Sequence, residues 1–266
     1  MRGKQVIDHK MKSTLYKDVK KLQKRMQLQS EIDGELIHDI RVLCKRVRAE
    51  SLLLKSKAKK AVLKGISKQL AGSLSQIRDA EVMLETFDRL MVPADSIEPL
   101  KGLRQKLEVD LNQQTLDSDR LFAMIQLLRQ EVGGCSFNKH PIKLNKASLL
   151  MAEKRSFKKF LRLNVNDCET YHDWRKTVKA YLYLFKLKAG MHDKKLEKVK
   201  ALAEALGLLH GLHVFEATVH QRHNEYLEQL RGILMLREKF LLAEVHRLGS
   251  ELYRRKEEVF QSEKTG

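Results

Sequence analysis

The chain has 266 residues, of which 42% are hydrophobic, and 52 Lys and Arg against 34 Asp and Glu give it a formal net charge of +18. This composition excludes a disordered chain, because it supplies enough apolar side chains for a sizeable core. The excess of positive charge predicts a polyanionic partner, since a compact body of like charges repels itself.

The cysteines and the N-terminal segment indicate where the protein works. Cys44, Cys135 and Cys168 are odd in number and widely separated, so we expect reduced thiols and neither a disulfide framework nor a zinc site. The first twenty residues lack the unbroken apolar core of a secretory signal, and no run of eighteen apolar residues occurs. We therefore expect a soluble cytoplasmic protein that needs no metal or other cofactor.

The pattern of apolar residues predicts an all-α fold. Leu, Lys, Glu, Ala, Arg and Gln dominate, and apolar residues recur at intervals of three and four. Connections are predicted at MVPADSIEP (91–99) and GGCSFNKHP (133–141), where all three prolines and a glycine pair occur. Eight helices are predicted, near 5–30, 34–57, 60–91, 98–132, 145–164, 169–189, 193–222 and 224–261.

The segment HDIRVLCKRVRAE, residues 38–50, presents two different faces if it is helical at about 100° per residue. One face is an apolar stripe of Leu36, Ile40, Leu43, Val47 and Leu54. The other is a basic flank of His38, Arg41, Lys45 and Arg48. The stripe explains folding, whereas the flank is either a solvated surface or an anion-binding site.

This segment occurs twice in the chain. HDIRVLCKRVRAESLLLK, from His38, matches HDWRKTVKAYLYLFKLK, from His172, and LAGSLSQIRDAEV, from Leu70, matches LAEALGLLHGLHV, from Leu202. The offsets are 172 − 38 = 134 and 202 − 70 = 132 residues. We predict one domain built by duplication, with a four-helix bundle at 1–140 and another at 141–266, related by a pseudo-twofold axis around a basic central cavity.

The second copy repeats the basic flank. His172, Arg175 and Lys179 fall on one side of the predicted helix, and Lys186 lies two turns further on. The aromatic residues of this segment are most simply explained as core, and they are Trp174, Tyr181 and Phe185.

The two HD segments, in this order and spacing, resemble the signature helices of the CHAD family, the conserved histidine α-helical domain. LAGSLSQIRDAEV resembles the segment that follows the first signature. The resemblance spans nearly the whole chain and implies a pair of four-helix bundles that bind inorganic polyphosphate and do not catalyse a reaction. The polyphosphate-binding residues it implies are His38, Arg41, Lys45, Arg46, Arg48, Arg78, His172, Arg175, Lys176 and Lys179, to which we add Lys186.

The second half departs from the family pattern at two positions. Leu182 stands where the second signature usually has an arginine, and Gly211 stands where the second following motif usually has an acidic residue. The second half is therefore expected to bind less tightly, or to depend on Lys186. Arg78 with Asp79 has the alternative interpretation of an interhelical ion pair.

Two other functions fit parts of the sequence. A metal-dependent phosphohydrolase is suggested by the doublets His38-Asp39, His172-Asp173 and His192-Asp193, but neighbouring Arg and Lys would repel a divalent cation. Nonspecific nucleic-acid binding is allowed by the charge, but it calls for base-stacking aromatics, and aromatics make up only 6% of the chain. Polyphosphate has no bases, so charge and hydrogen-bond donors suffice to bind it.

Overall fold

The computed structural model describes residues 2–28, 32–54, 56–90, 98–135, 141–188 and 193–265. These residues form α-helices with two short 3-10 helices, at Ser51–Leu53 and Asn224–Tyr226, and no β-strand occurs among them, which confirms the predicted all-α fold. The α-helices are α1 Arg2–Leu28, α2 Gly34–Glu50, α3 Lys57–Ser73, α4 Ser75–Leu90, α5 Glu98–Asn112, α6 Ser118–Gly133, α7 Pro141–Phe160, α8 Cys168–Lys188, α9 Lys194–Arg222 and α10 Leu227–Thr265. The predicted connections at 91–99 and 133–141 lie largely outside the described residues.

The single helix predicted at 60–91 is wrong, because α3 and α4 are separate. The break is at Leu74, whose φ of −102° and ψ of 5° are not helical. The Ser73 hydroxyl donates to the Gln69 carbonyl and the Ser75 hydroxyl donates to the Gly72 carbonyl. Serine side chains that bond to nearby backbone groups compete with helix continuation, so this cluster of small residues ends α3.

The single helix predicted at 98–132 is also two helices, α5 and α6. The backbone between them leaves the helix after Asn112 and returns at Ser118. The Asp117 side chain accepts a hydrogen bond from the Arg120 backbone N–H at 2.9 Å, which caps the start of α6. The apolar periodicity continues across this break, so the sequence pattern did not indicate that a new helix begins here.

Backbone contacts divide the chain into two compact units, and the first consists of Met1–Asp79 with Gln113–Leu150. Within it α1 contacts α2, α2 contacts α3, α3 contacts α6, and α6 contacts α1, so four helices form a closed ring of neighbours. The predicted apolar stripe of α2 lies in this core, with Leu36, Ile40 and Val47 each 0% exposed. Burial of the stripe leaves the other side of α2 facing outward.

The second unit consists of Ala80–Asn112 with Met151–Gly266. Its central helix is α9, which packs against both α8 and α10. Aromatic rings hold α4 and α7 to this group. Phe87 of α4 lies 6.4 Å from Phe215 of α9, and Phe160 of α7 lies 5.2 Å from Trp174 of α8 and 5.5 Å from Tyr253 of α10, measured between ring centroids.

The two units are interleaved in sequence. The segment Ala80–Asn112 belongs with the second unit, and the start of α7 belongs with the first, so the units differ from the halves 1–140 and 141–266. Duplication into two four-helix repeats stays a prediction.

The structure describes the state of the cysteines and the apolar character of the helices. All three cysteines are free, with Cys44 and Cys135 buried and Cys168 exposed. Nowhere in the described residues is a helix both long and apolar enough to cross a bilayer.

We predict that Gly249→Ala destabilises the second unit. A Cβ at this buried position would lie 2.7 Å from a Phe160 ring atom and 2.8 Å from a Trp174 ring atom, and both rings are packed in the aromatic core. Overpacking of this kind costs about 1–3 kcal/mol in the free energy of unfolding, measured by denaturant titration. Gly232→Ala on the same helix has open space and should be neutral or stabilising. Equal stability of the two variants would contradict the prediction.

Candidate anion-binding site

In the first unit the basic flank of α2 lies on the partly solvent-exposed side of the helix. His38 is exposed, and Arg41, Lys45 and Arg48 are half-buried. Asp33 caps the start of the helix, since its side chain accepts from the Leu36 N–H at 2.7 Å. The cap and the buried stripe together fix which side of α2 carries the cations.

Arg41 connects the flank to the break between α3 and α4. Its Nη1 donates to the Leu74 carbonyl at 3.2 Å, and the same carbonyl accepts from the Arg78 backbone N–H at 3.2 Å. Burial raises the pKa of the Asp79 carboxyl, while Arg41 and Arg78 both act to lower it. Arg41, Arg78 and Asp79 are therefore neighbours, and the carboxylate is an internal counter-ion for the two guanidinium groups.

Three cations of the flank surround one point on α2. Burial raises the pKa of the Cys44 thiol to about 11, and Arg48, Arg41 and Lys45 act in the opposite direction. Arg48 is also held to its own helix, since its Nε donates to the Cys44 carbonyl at 3.1 Å. The structure thus brings Arg41, Lys45 and Arg48 together.

Arg46 does not join this group. It lies five residues from Arg41, about 140° around the helix. Its guanidinium pairs with Asp18 of α1 and with Glu50 at 3.2 Å, and Glu50 is only 2% exposed. Burial raises the pKa of the Glu50 carboxyl, and the Arg46 charge opposes that shift. Arg46 therefore neutralises a buried carboxylate within the bundle.

The aspartates of the two signature doublets are bound to cations of the preceding helix. Asp39 accepts from Arg25 of α1 at 2.8 Å, and Asp173 accepts from Lys159 of α7 at 2.8 Å. In both pairs the partners are 14 residues apart. Lys176 also reaches Asp173, at 3.2 Å, and Lys159 and Lys176 lower the pKa of that carboxyl. The two aspartates thus make equivalent contacts, and each helps to orient its signature helix.

In the second unit α8 has the same division into two sides. Its core side carries Trp174, Tyr181 and Phe185, which are 0%, 1% and 5% exposed, and Leu182 is buried beside them. The basic side carries half-buried His172, Arg175 and Lys179 and exposed Lys176 and Lys186. The ammonium of Lys186 lies 5.9 Å from the centre of the Tyr183 ring.

His210 of α9 is a member of this group that the sequence analysis did not assign to the anion site. Its Nδ1 lies 3.2 Å from the Nδ1 of His172, and the ring centroids are 4.5 Å apart. Burial lowers the pKa of His210 to about 3, and Arg175, His172 and Lys179 contribute to the shift. The internal repeat could have indicated His210, because the 132-residue offset places it at the position of Arg78 (78 + 132 = 210).

His213 of α9 and His223, which directly follows α9, make different contacts. His213 pairs with Glu238 of α10 at 2.8 Å, and the Nε2 of His223 lies 3.5 Å from Asp110 of α5. Among the described residues, no three His, Cys, Asp or Glu side chains form a group able to hold a metal ion. His192, of the third doublet, lies outside the described residues.

Comparisons with known proteins agree on one family. The sequence model described as CHAD domain matches residues 13–220. Among solved structures, the chain is similar to the crystal structure of the CHAD domain from the plant Ricinus communis, with 17% identity and a TM-score of 0.57 over 93% of this chain and 89% of that chain. At this identity the structural likeness shows the fold alone. No similar sequence was found among curated proteins.

We predict that Arg46→Met destabilises the first unit by about 3 kcal/mol, because Glu50 and Asp18 lose their shared cation. The loss should be largest near neutral pH. Unpaired Glu50, whose pKa is already raised by burial, takes up a proton as the pH falls, and the charge penalty then disappears. Denaturant titrations at several pH values measure this.

The double variant Arg46→Met with Glu50→Gln should recover much of the lost stability, because the buried charge is removed as well. A deficit in Arg46→Met that is the same at acidic and neutral pH would show that Glu50 is not the cause.

Proposed function

Since the chain belongs to the CHAD domain family, we propose that it binds inorganic polyphosphate and catalyses no reaction on it. In the first unit the proposed binding residues are His38, Arg41, Lys45, Arg48 and Arg78. In the second unit they are His172, Arg175, Lys176, Lys179 and Lys186. Arg46 is left out, because its guanidinium is paired with two carboxylates inside the bundle.

The concentration of cations on one side of each signature helix is the observation that carries the proposal. Arg41, Lys45 and Arg48 act together on the Cys44 thiol in the first unit. Arg175 and Lys179 act together on His210 in the second. Like charges held this close by packed helices repel one another, and a bound polyanion relieves the repulsion. Arginine adds forked donors that match phosphate oxygens.

The burial of aromatic rings favours polyphosphate over nucleic acid. Helix α2 contains no aromatic residue, and Trp174, Tyr181 and Phe185 of α8 are buried, which leaves one half-buried tyrosine ring on α8, that of Tyr183 beside Lys186. Proteins that bind single strands without sequence preference rely on exposed rings on which bases stack. The two basic flanks offer charge and donors, which is all that polyphosphate requires.

The ion pairs of the doublets favour binding over metal-dependent hydrolysis. Asp39 and Asp173 are each paired with a cation of the preceding helix, and such a carboxylate is a poor ligand for a divalent metal ion. A cytoplasmic location, at granules of polyphosphate, forms part of the same proposal. Three free cysteines are consistent with a reducing compartment.

We predict that Arg41→Ala combined with Arg175→Ala weakens polyphosphate binding about 100-fold, because each change removes a charge-assisted hydrogen bond of about 1.4 kcal/mol or more. Titration of the full chain with medium-chain polyphosphate measures the affinity, and thermal melting verifies the fold. The milder double variant Arg41→Lys with Arg175→Lys keeps the charge and loses only the forked donors. Its affinity for polyphosphate should therefore lie between those of the wild type and the alanine double variant.

The matched control is Arg120→Ala with Arg222→Ala. It removes one exposed arginine from each unit and changes the net charge equally, outside the proposed site. Equal affinities of the two double variants would reduce the interaction to general charge attraction. Displacement of polyphosphate by single-stranded DNA at equal phosphate concentration would favour nucleic acid, and magnesium-dependent release of phosphate would favour hydrolysis.

We also predict a steep salt dependence of binding. Neutralising about four phosphates releases their counterions, so the affinity should fall on the order of 50-fold between about 50 and 200 mM salt. Titrations at four salt concentrations give the slope of log affinity against log salt. A slope near zero would contradict binding by several phosphate contacts.

A further inference from the structure

The contact between His172 and His210 is unusual because two nitrogens of the same kind face each other. The Nδ1 atoms are 3.2 Å apart, so the N–H of one ring donates a hydrogen bond and the unprotonated nitrogen of the other ring accepts it. Two fully protonated rings have only donors at these positions, so they repel each other and lose the bond. The observed contact therefore requires that at least one ring is neutral.

Positive charge surrounds the pair on its own helices. Burial lowers the pKa of His172, and Lys176 and Arg175 act in the same direction. Glu169 and Asp173 act in the opposite direction, although Asp173 is paired with Lys159 and Lys176. Around His210 the charged and titratable groups that lower its pKa are Arg175, His172, Lys179 and His213.

The neighbouring helices place little negative charge near the two histidines. Glu238 of α10 is bound to His213 at 2.8 Å. From α4, Thr86 and Val82 face Gly211, and a Cβ there would lie 3.3 Å from the Thr86 hydroxyl and 3.6 Å from a Val82 methyl. Gly211 thus lets α4 approach closely, and it provides no carboxylate at this position. Burial and the neighbouring cations therefore favour the neutral form of both rings.

The first unit has permanently charged side chains at the positions that match this part of the second unit. The position that corresponds to His210 is Arg78, and the position that corresponds to Gly211 is Asp79. Asp79 lies beside Arg41 and Arg78 and partly compensates them. The second unit has neither the arginine nor the carboxylate at these two positions. An anion bound from outside the chain would give this titratable pair a negative charge in place of that carboxylate.

We infer that His210 is a further anion-binding residue, and that the His172–His210 pair takes up a proton from solvent when phosphate binds to the second unit. This inference rests on the proposed function, because it assigns a residue and a proton linkage to the same site. The bound anion supplies the negative charge that the pair lacks. One added proton leaves one ring neutral, so the hydrogen bond between the two Nδ1 atoms can persist, and the Nε2–H group of each ring can then donate to phosphate. Binding by the second unit is stronger at acidic pH.

Isothermal titration calorimetry measures the proton uptake directly. The full chain is titrated with long-chain polyphosphate at about pH 6.5, the ordinary pKa of histidine, in two buffers that differ in ionisation enthalpy. Long chains keep the titratable terminal phosphates a minor fraction. We expect the uptake of about one proton for each ligand bound by the second unit. We also expect affinity to fall several-fold between about pH 6 and pH 8.

Two substitutions separate the role of His210 from a folding defect. His210→Asn should abolish most of the uptake and flatten the pH dependence. His210→Arg restores the residue type of Arg78, so it should bind at least as tightly at about pH 8 and take up no proton there. His220→Asn is the control, since His220 is exposed on the same helix and outside the site. It should behave as the wild type.

These measurements can overturn the inference about His210 and the proposed polyphosphate binding separately. Tight binding with the same proton uptake in wild type and His210→Asn would overturn this inference and leave the proposed function intact. Uptake that is lost in His210→Asn and kept in His220→Asn would support it. Absence of binding to the wild type at every pH would overturn the proposed function itself.

Discussion

Burial of one apolar stripe on each signature helix is the constraint on which the candidate site depends. Leu36, Ile40 and Val47 are completely buried on α2, as Trp174 and Val178 are on α8. A helix whose stripe is packed in this way cannot rotate about its axis without exposing several large side chains, at a cost of about 1.5–3 kcal/mol each. The cations at the remaining positions therefore stay on the outer side despite their mutual repulsion.

Ion pairs between neighbouring helices add a second level of positioning. Arg25 holds Asp39 and Lys159 holds Asp173, each across 14 residues of chain. Arg46 also stabilises the bundle, because its guanidinium forms an ion pair with the buried Glu50 inside the first unit. These contacts divide the charged residues of the signatures into those that organise the bundle and those that remain for a ligand. Proximity in sequence does not reveal the division, since Arg46 lies between Lys45 and Val47 and serves the interior.

The two units use different chemistry at corresponding positions. The first has permanent cations with a carboxylate beside them, in Arg41, Arg78 and Asp79. The second has a pair of hydrogen-bonded histidines beside Arg175, and a glycine that lets α4 approach closely. The departure at Gly211 is thus coupled to packing against Val82 and Thr86. Under the proposed function, we expect the two units to respond differently to pH, because one has titratable histidines where the other has fixed charges.

Helical periodicity and the repeated HD segments were sufficient to predict the all-α fold, the buried stripes and the family. Such features depend on spacing along one helix, which the sequence records directly. Three features required the tertiary structure: the break at Leu74, the inward role of Arg46, and the contact of His210 with His172. Each depends on which groups of other helices, or of the local backbone, compete for a hydrogen bond or a charge. Those partners are distant in sequence or lie within an unbroken apolar pattern, so only the folded chain determines them.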